Sequence, residues 1–145
     1  MKKYLIILLL IFLQNNVNAA CVFNSSDLSF GLYKSPGQNS DLLSSTNMLV
    51  ICDVFSIGSA FSIKLLPGQS GNYNRYLTNG KDKLYYNLFL NSSRSSIWGD
   101  GSNGTNYYNG VTKIVLRPTI FSSVFKNQNV SPGFYSDTIS FEISF

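Results

Sequence analysis

The sequence predicts an all-β domain built as a β-sandwich. Two observations carry that reading. Apolar residues alternate with polar ones over short runs, and Gly, Asn, Ser, Asp and Pro cluster between the runs. Periodicity of the helical kind is missing from the chain after residue 20. About seven short strands spaced 8–15 residues apart, with turns between, suit two packed antiparallel sheets.

The elements follow in order. Cys21-Val22-Phe23 and Leu28 to Tyr33 read as a first strand broken at Asn24-Ser25-Ser26-Asp27. Lys34 to Ser45 is polar and holds Pro36-Gly37. Thr46 to Asp53 is a second strand, with Met48, Val50 and Cys52 on one face and Leu49 and Ile51 on the other. Ala60 to Leu66 is a third, closed by the turn Pro67-Gly68. Gln69 to Lys81 is a loop or weak strand ending at Asn79-Gly80. Lys83 to Leu90 alternates strongly, Leu84, Tyr86, Leu88 and Leu90 against Tyr85, Asn87 and Phe89. Asn91 to Tyr107 is loop-like around Trp98-Gly99-Asp100-Gly101. Val111 to Leu116 and Thr119 to Phe125 are strands, and Asn127 to Gly133 carries turn residues. Tyr135 to Phe145 is the cleanest pattern. Ile139, Phe141, Ile143 and Phe145 form its apolar face; Thr138, Ser140, Glu142 and Ser144 form its polar one. No later strand is available in this chain to cover that edge.

The chain begins as an exported protein would. Lys2 and Lys3 precede a nearly pure hydrocarbon run, Tyr4 to Leu13, and Val17-Asn18-Ala19 gives a small-residue cleavage pattern. A membrane-spanning helix needs roughly 20 apolar residues, about twice that run. The expected organisation is a signal peptide, 1–19, and a single domain, 20–145, not embedded in a membrane after cleavage. Lipidation of Cys21 is the lesser alternative, because Asn18 stands where lipoprotein sites carry an apolar residue. Without the leader the chain has nine basic and seven acidic residues, about +2. The basic residues are scattered, so nothing points to nucleic acid. In an exported chain the two cysteines, Cys21 and Cys52, read as a disulfide joining the first two strands.

Catalysis has little to stand on. The chain has no histidine, which removes Ser-His-Asp and Cys-His constellations, and Glu142 is its one glutamate. We read it as no enzyme, with no cofactor and no metal. Trp98, Asp100, Tyr107 and Tyr108 form a candidate surface-binding loop: the rings could stack on a sugar or another surface. Tyr73 joins them as a loop aromatic. Asp100 with Asn103 could contribute to a calcium site, although such sites gather six or more oxygens. The structural reading of the same motif is a tight Asp-Gly turn with Trp98 plugging one end of the core.

The order of short motifs carries a resemblance. A cysteine after the leader is followed by Phe30-Gly31-Leu32-Tyr33, then by Ile51-Cys52, a Gly68-centred turn and Arg75-Tyr76. Leu84-Tyr85-Tyr86-Asn87-Leu88-Phe89 comes next, then Trp98-Gly99-Asp100-Gly101 and Gly104-Thr105. The series ends with Pro132-Gly133-Phe134-Tyr135-Ser136-Asp137-Thr138-Ile139. Together these resemble the spore coat protein U domain, whose members are similar to subunits of archaic chaperone–usher pili. The resemblance implies an immunoglobulin-like sandwich lacking its last strand. A periplasmic chaperone and then a neighbouring subunit would fill the gap, with an outer-membrane usher as further partner. Ile139, Phe141, Ile143 and Phe145 would form the strand-accepting edge. The resemblance also implies passage through the periplasm to the cell surface and a part in adhesion and biofilm. Only Ala20 would precede Cys21 after cleavage, so the expectation is a subunit that receives a strand without giving one, as at a fibre tip. The competing expectation is a stand-alone secreted lectin-like binding module.

Overall fold

The computed structural model describes residues 21–145. The leader and its cleavage site lie outside these residues. Nine strands form two sheets. They are β1 (Cys21–Ser25), β2 (Leu42–Cys52), β3 (Ala60–Leu65), β4 (Tyr76–Thr78), β5 (Lys83–Phe89), β6 (Tyr108–Val111), β7 (Val115–Leu116), β8 (Thr119–Val124) and β9 (Phe141–Ser144). The larger sheet has the order β1-β2-β8-β5-β4, with β7 also paired to β2; the smaller is β6-β3-β9. All pairings are antiparallel. The architecture is the all-β sandwich that the pattern predicts, in the immunoglobulin-like form that the resemblance implies.

The alternation in β2 sets the core. Met48 and Val50 are fully buried and Cys52 nearly so, while Ile51 on the opposite face is exposed. Phe61, Ile63 and Leu65 of β3 meet them from the second sheet, and Leu84, Tyr86 and Leu88 of β5 complete the interior. Cys21 and Cys52 stand opposite each other in the β1–β2 register and are joined by a disulfide. This staple fixes the start of β1 to the end of β2.

Three strand expectations need correction. The run Val111 to Leu116 is not one strand. Its first part, β6, pairs with β3, and its second, β7, pairs with β2, so the chain crosses between sheets at Thr112. Thr112 is buried there; its hydroxyl donates to Ser56 O and accepts from Ser59 N at 2.9 Å. Pro118 then separates β7 from β8, because proline offers no N–H to a ladder; its carbonyl accepts from Met48 N at 2.8 Å. Leu28 to Tyr33 forms no strand. Beyond Ser25 the chain leaves the β2 edge, and Phe30 packs against Tyr86 with ring centroids 5.6 Å apart.

The terminal strand is also shorter than its alternation: β9 covers Phe141–Ser144 only. Upstream, the chain engages different partners. Ser136 exchanges two main-chain hydrogen bonds with Thr78, at 3.0 and 3.1 Å, and Ser140 O accepts from Leu66 N at 2.9 Å. Asp137 and Ile139 lie over Gly68, where any Cβ would overlap the Ile139 side chain at 2.5 Å. Gly68 also has φ of +77°, so the turn requires glycine twice over. One sheet cannot hold a segment drawn to β4 at one point and to the Gly68 turn at the next.

Candidate functional site

The smaller sheet ends at β9. β9 pairs with β3 along one edge, and none of the described strands pairs with the other. Beside that edge runs a groove with a cavity volume of about 1050 Å3. Its floor is the inner face of the larger sheet: Met48 from β2, Leu84 and Leu88 from β5, Ile120 and Val124 from β8. One lip is the end of β1 and the segment after it, residues 25–33. The other is 130–139, leading into β9. Ionisable groups in the lining are Asp27, Asp137 and three tyrosines; no lysine or arginine lines it. Of the expected edge residues, Ile139 and Phe141 line the groove. Ile143 packs against the core from the β9 ladder. Phe145 lies past the end of β9, 60% exposed, its ring 6.3 Å from those of Phe23 and Phe61. The groove thus gathers half of the expected set and adds the floor.

At the floor's far margin, the Tyr86 hydroxyl donates to Asp137 Oδ2 at 2.7 Å. Burial, and then the Asp137 carboxylate, push the Tyr86 phenol far above its ordinary range, so it stays a proton donor. This bond ties the 130–139 lip to the sheet below it.

The side of the sandwich between β3 and β5 is closed. Trp98 is fully buried, donates from Nε1 to Ile63 O at 2.9 Å, and stacks on Tyr108 with centroids 5.9 Å apart. Gly99 admits no side chain, since a Cβ would overlap Thr105 and approach the Tyr73 ring to 2.8 Å. Arg75 is also fully buried. Its guanidinium donates to Asn87 Oδ1 at 2.8 Å, Trp98 O at 2.9 Å and Leu66 O at 3.1 Å, and lies 4.9 Å from the Tyr73 ring centroid. Desolvation holds its pKa below the usual arginine value, partly offset by Tyr86, Tyr73 and Asp137. Carbonyl and amide oxygens therefore take up both terminal nitrogens of a buried cation, whose Nε has no hydrogen-bond partner among the described residues, and join both sheets to the Trp98 loop.

This geometry corrects the candidate surface-binding loop. Trp98 offers no surface to a ligand, Tyr73 is buried with its hydroxyl on Leu65 O, and Tyr108 is half-buried against Phe61 and Trp98. Tyr107 remains exposed, with the Lys64 ammonium 5.4 Å from its ring centroid. Asp100 accepts from the main chain and hydroxyl of Ser102, at 2.8 and 2.6 Å, and these bonds hold its carboxyl below the ordinary range. It closes its own turn. Among the described residues no cluster of three or more His, Cys, Asp or Glu side chains could hold a metal.

The sequence reading missed two things. The Arg75–Asn87 pair spans 12 residues on the non-core side of β5, where alternation predicts exposure. The lips carry Leu32, 79% exposed, and Phe134, 99% exposed; both stood inside motifs whose residues had been given no separate role.

Fold and groove together define a class: an immunoglobulin-like sandwich with an apolar groove beside a strand edge that no described strand pairs. Within it, the chain belongs to the Spore Coat Protein U domain family, whose profile matches residues 8–142. That match reaches back into the segment expected as the leader. Among solved structures the chain is similar to one in the CsuC–CsuE chaperone–tip adhesion subunit pre-assembly complex from the archaic chaperone–usher Csu pili of Acinetobacter baumannii. The TM-score is 0.63 at 21% identity, covering 89% of this chain and 40% of that one. The chain therefore spans less than half the length of that neighbour. No curated protein matches it.

Proposed function

We propose that the chain is a structural or adhesive subunit of a surface fibre or coat, completed by a β-strand from another chain. The observation that carries this is the groove beside the unpaired edge of β9, floored by Met48, Leu84, Leu88, Ile120 and Val124. A free strand edge supplies main-chain donors and acceptors, and an apolar trough beside it takes alternate side chains; an added strand uses both. Left open, the same edge invites aggregation. The edge residues in this reading are Ile139, Phe141, Ile143 and Phe145.

The structural neighbour was captured with its chaperone. By that likeness the first donor here is a periplasmic chaperone, followed, through an outer-membrane usher, by a neighbouring subunit. Export after cleavage at Ala19 and residence at the cell surface belong to the same reading, as does a fibre-tip position. Amino-terminal sequencing of the exported chain tests the cleavage. The strand reading is tested by purifying the chain from periplasm and solving what it purifies with. A foreign strand paired to β9 is the expected result. A stable monomer made without any partner, its groove closed, would favour the stand-alone secreted module.

A further inference from the structure

The two lips present apolar side chains to solvent from backbone that is firmly held. On the 130–139 lip, Ser131 N donates to Asp82 Oδ2 at 2.7 Å, and the Ser131 hydroxyl donates to the same oxygen. The Tyr135 hydroxyl donates to Ser131 O at 2.7 Å and accepts from Asn79 Nδ2 at 3.1 Å. Ser136 is paired to Thr78. Phe134 stands between these anchors, 99% exposed. The opposite lip repeats the device. Ser29 O accepts from the Ser44 hydroxyl at 2.9 Å, and Phe30 packs on Tyr86. The Tyr33 hydroxyl donates to Phe125 O and accepts from Gln128 N, both at 2.9 Å. Leu32 between them is 79% exposed.

An exposed apolar ring on mobile backbone has little to offer a partner, because ordering it costs what its burial returns. On pinned backbone the ordering is already done, so more of the apolar burial is returned as affinity, and aromatic rings such as that of Phe134 are enriched at interfaces. Given the strand-completion reading above, we infer that Leu32 and Phe134 are the anchors by which the lips grip the incoming strand, and that this strand is neutral to basic. The charge preference follows from the lining. Asp27 lies on one lip and Asp137 on the other; no lysine or arginine lines the groove, and Arg75, the cation that acts on Asp137, is fully buried behind it. An acidic side chain passing between the lips would meet like charge in a partly desolvated site; a lysine would meet the opposite.

The probe is a labelled synthetic peptide of alternating valine and threonine, made with either lysine or glutamate at its flanking positions. It is titrated into the exported full chain by fluorescence anisotropy. The lysine peptide should bind the unaltered chain more tightly than the glutamate peptide. The double variant Leu32→Ser, Phe134→Ser should weaken binding by more than about tenfold, with thermal melting unchanged. Phe55→Ser alters a ring 77% exposed and outside the groove, and should leave binding as it was. Undiminished binding by the double variant overturns the anchor role while leaving strand completion standing. A lower melting temperature in the double variant overturns it too, by making the residues structural. Equal affinity for both peptides overturns the charge preference. If neither peptide binds and the chain instead self-associates through Phe134, the anchors serve a second copy of this chain. In that case the inference and the reading beneath it fall together.

Discussion

The two sides of this sandwich are built from similar residues and finished in opposite ways. Between β3 and β5, Trp98, Arg75, Asn87 and Tyr73 are buried, and their polar atoms reach across both sheets. Beside β9 the same core continues as the floor of a groove, and apolar side chains on its lips face solvent. A side closed by its own hydrogen bonds needs nothing further. A side with an unpaired strand edge over apolar floor is complete only with something added. The difference teaches where substitutions cost stability and where they cost assembly.

The largest expected effect is on the closed side. Trp98→Ala removes a fully buried ring that touches Tyr108 and leaves Ile63 O without its donor. It should destabilise the fold by about 3–5 kcal/mol, read as a lower midpoint in urea denaturation. A loss below about 1 kcal/mol would mean that the Trp98 loop is not structural and would reopen its role as a binding loop.

The next effect belongs to the staple. Replacing both Cys21 and Cys52 with serine frees a loop whose ends are 31 residues apart. The loss should be about 2–4 kcal/mol. Because β1 leads directly into the 25–33 lip, hydrogen exchange should rise in both, more than around Trp98. Equal loosening on the two sides would erase the contrast drawn between them.

Much of this contrast is legible from residues alone. Alternation marks Met48, Val50 and Cys52 as core, and turn chemistry places the breaks at Pro67-Gly68 and Asn79-Gly80. Asp-Gly at 100–101 marks a turn beside a buried tryptophan. What alternation cannot reveal is competition among distant partners. Tyr135 to Phe145 keeps period two except at Asp137, yet only Phe141–Ser144 pairs as strand, because Ser136 is drawn to Thr78 and Ile139 to Gly68. A buried arginine whose terminal nitrogens are held by main-chain carbonyls and the Asn87 side chain also leaves no local trace, since these acceptors come from residues 65–66, 87 and 98. The groove itself was implied by family resemblance. Its lips were invisible because Leu28 to Tyr33 reads as strand and lies instead as an anchored loop.

The smallest effect is a pH dependence of the groove's 130–139 lip. Asp82 accepts from the main chain and hydroxyl of Ser131, and these two bonds hold its carboxyl below the ordinary carboxylate value. A depressed folded-state pKa adds stability above the unfolded value, about 4; that contribution is lost as pH falls through the folded one. The 130–139 lip should therefore hold its shape at neutral pH and loosen in acid; on the other side Asp100, likewise held down by Ser102, should loosen its own turn in acid, while the Arg75 contacts, made to neutral acceptors, should not follow. Asp82→Asn removes the carboxylate, so its melting temperature should be slightly lower near pH 7 and should depend less on pH between about 5 and 3. Amide chemical shifts of Ser131 and Tyr135 report the lip directly. If Asp82→Asn leaves both where they stand in the unaltered chain at pH 7, Asp82 does not pin this lip, and Phe134 loses the rigid support on which its role as an anchor depends.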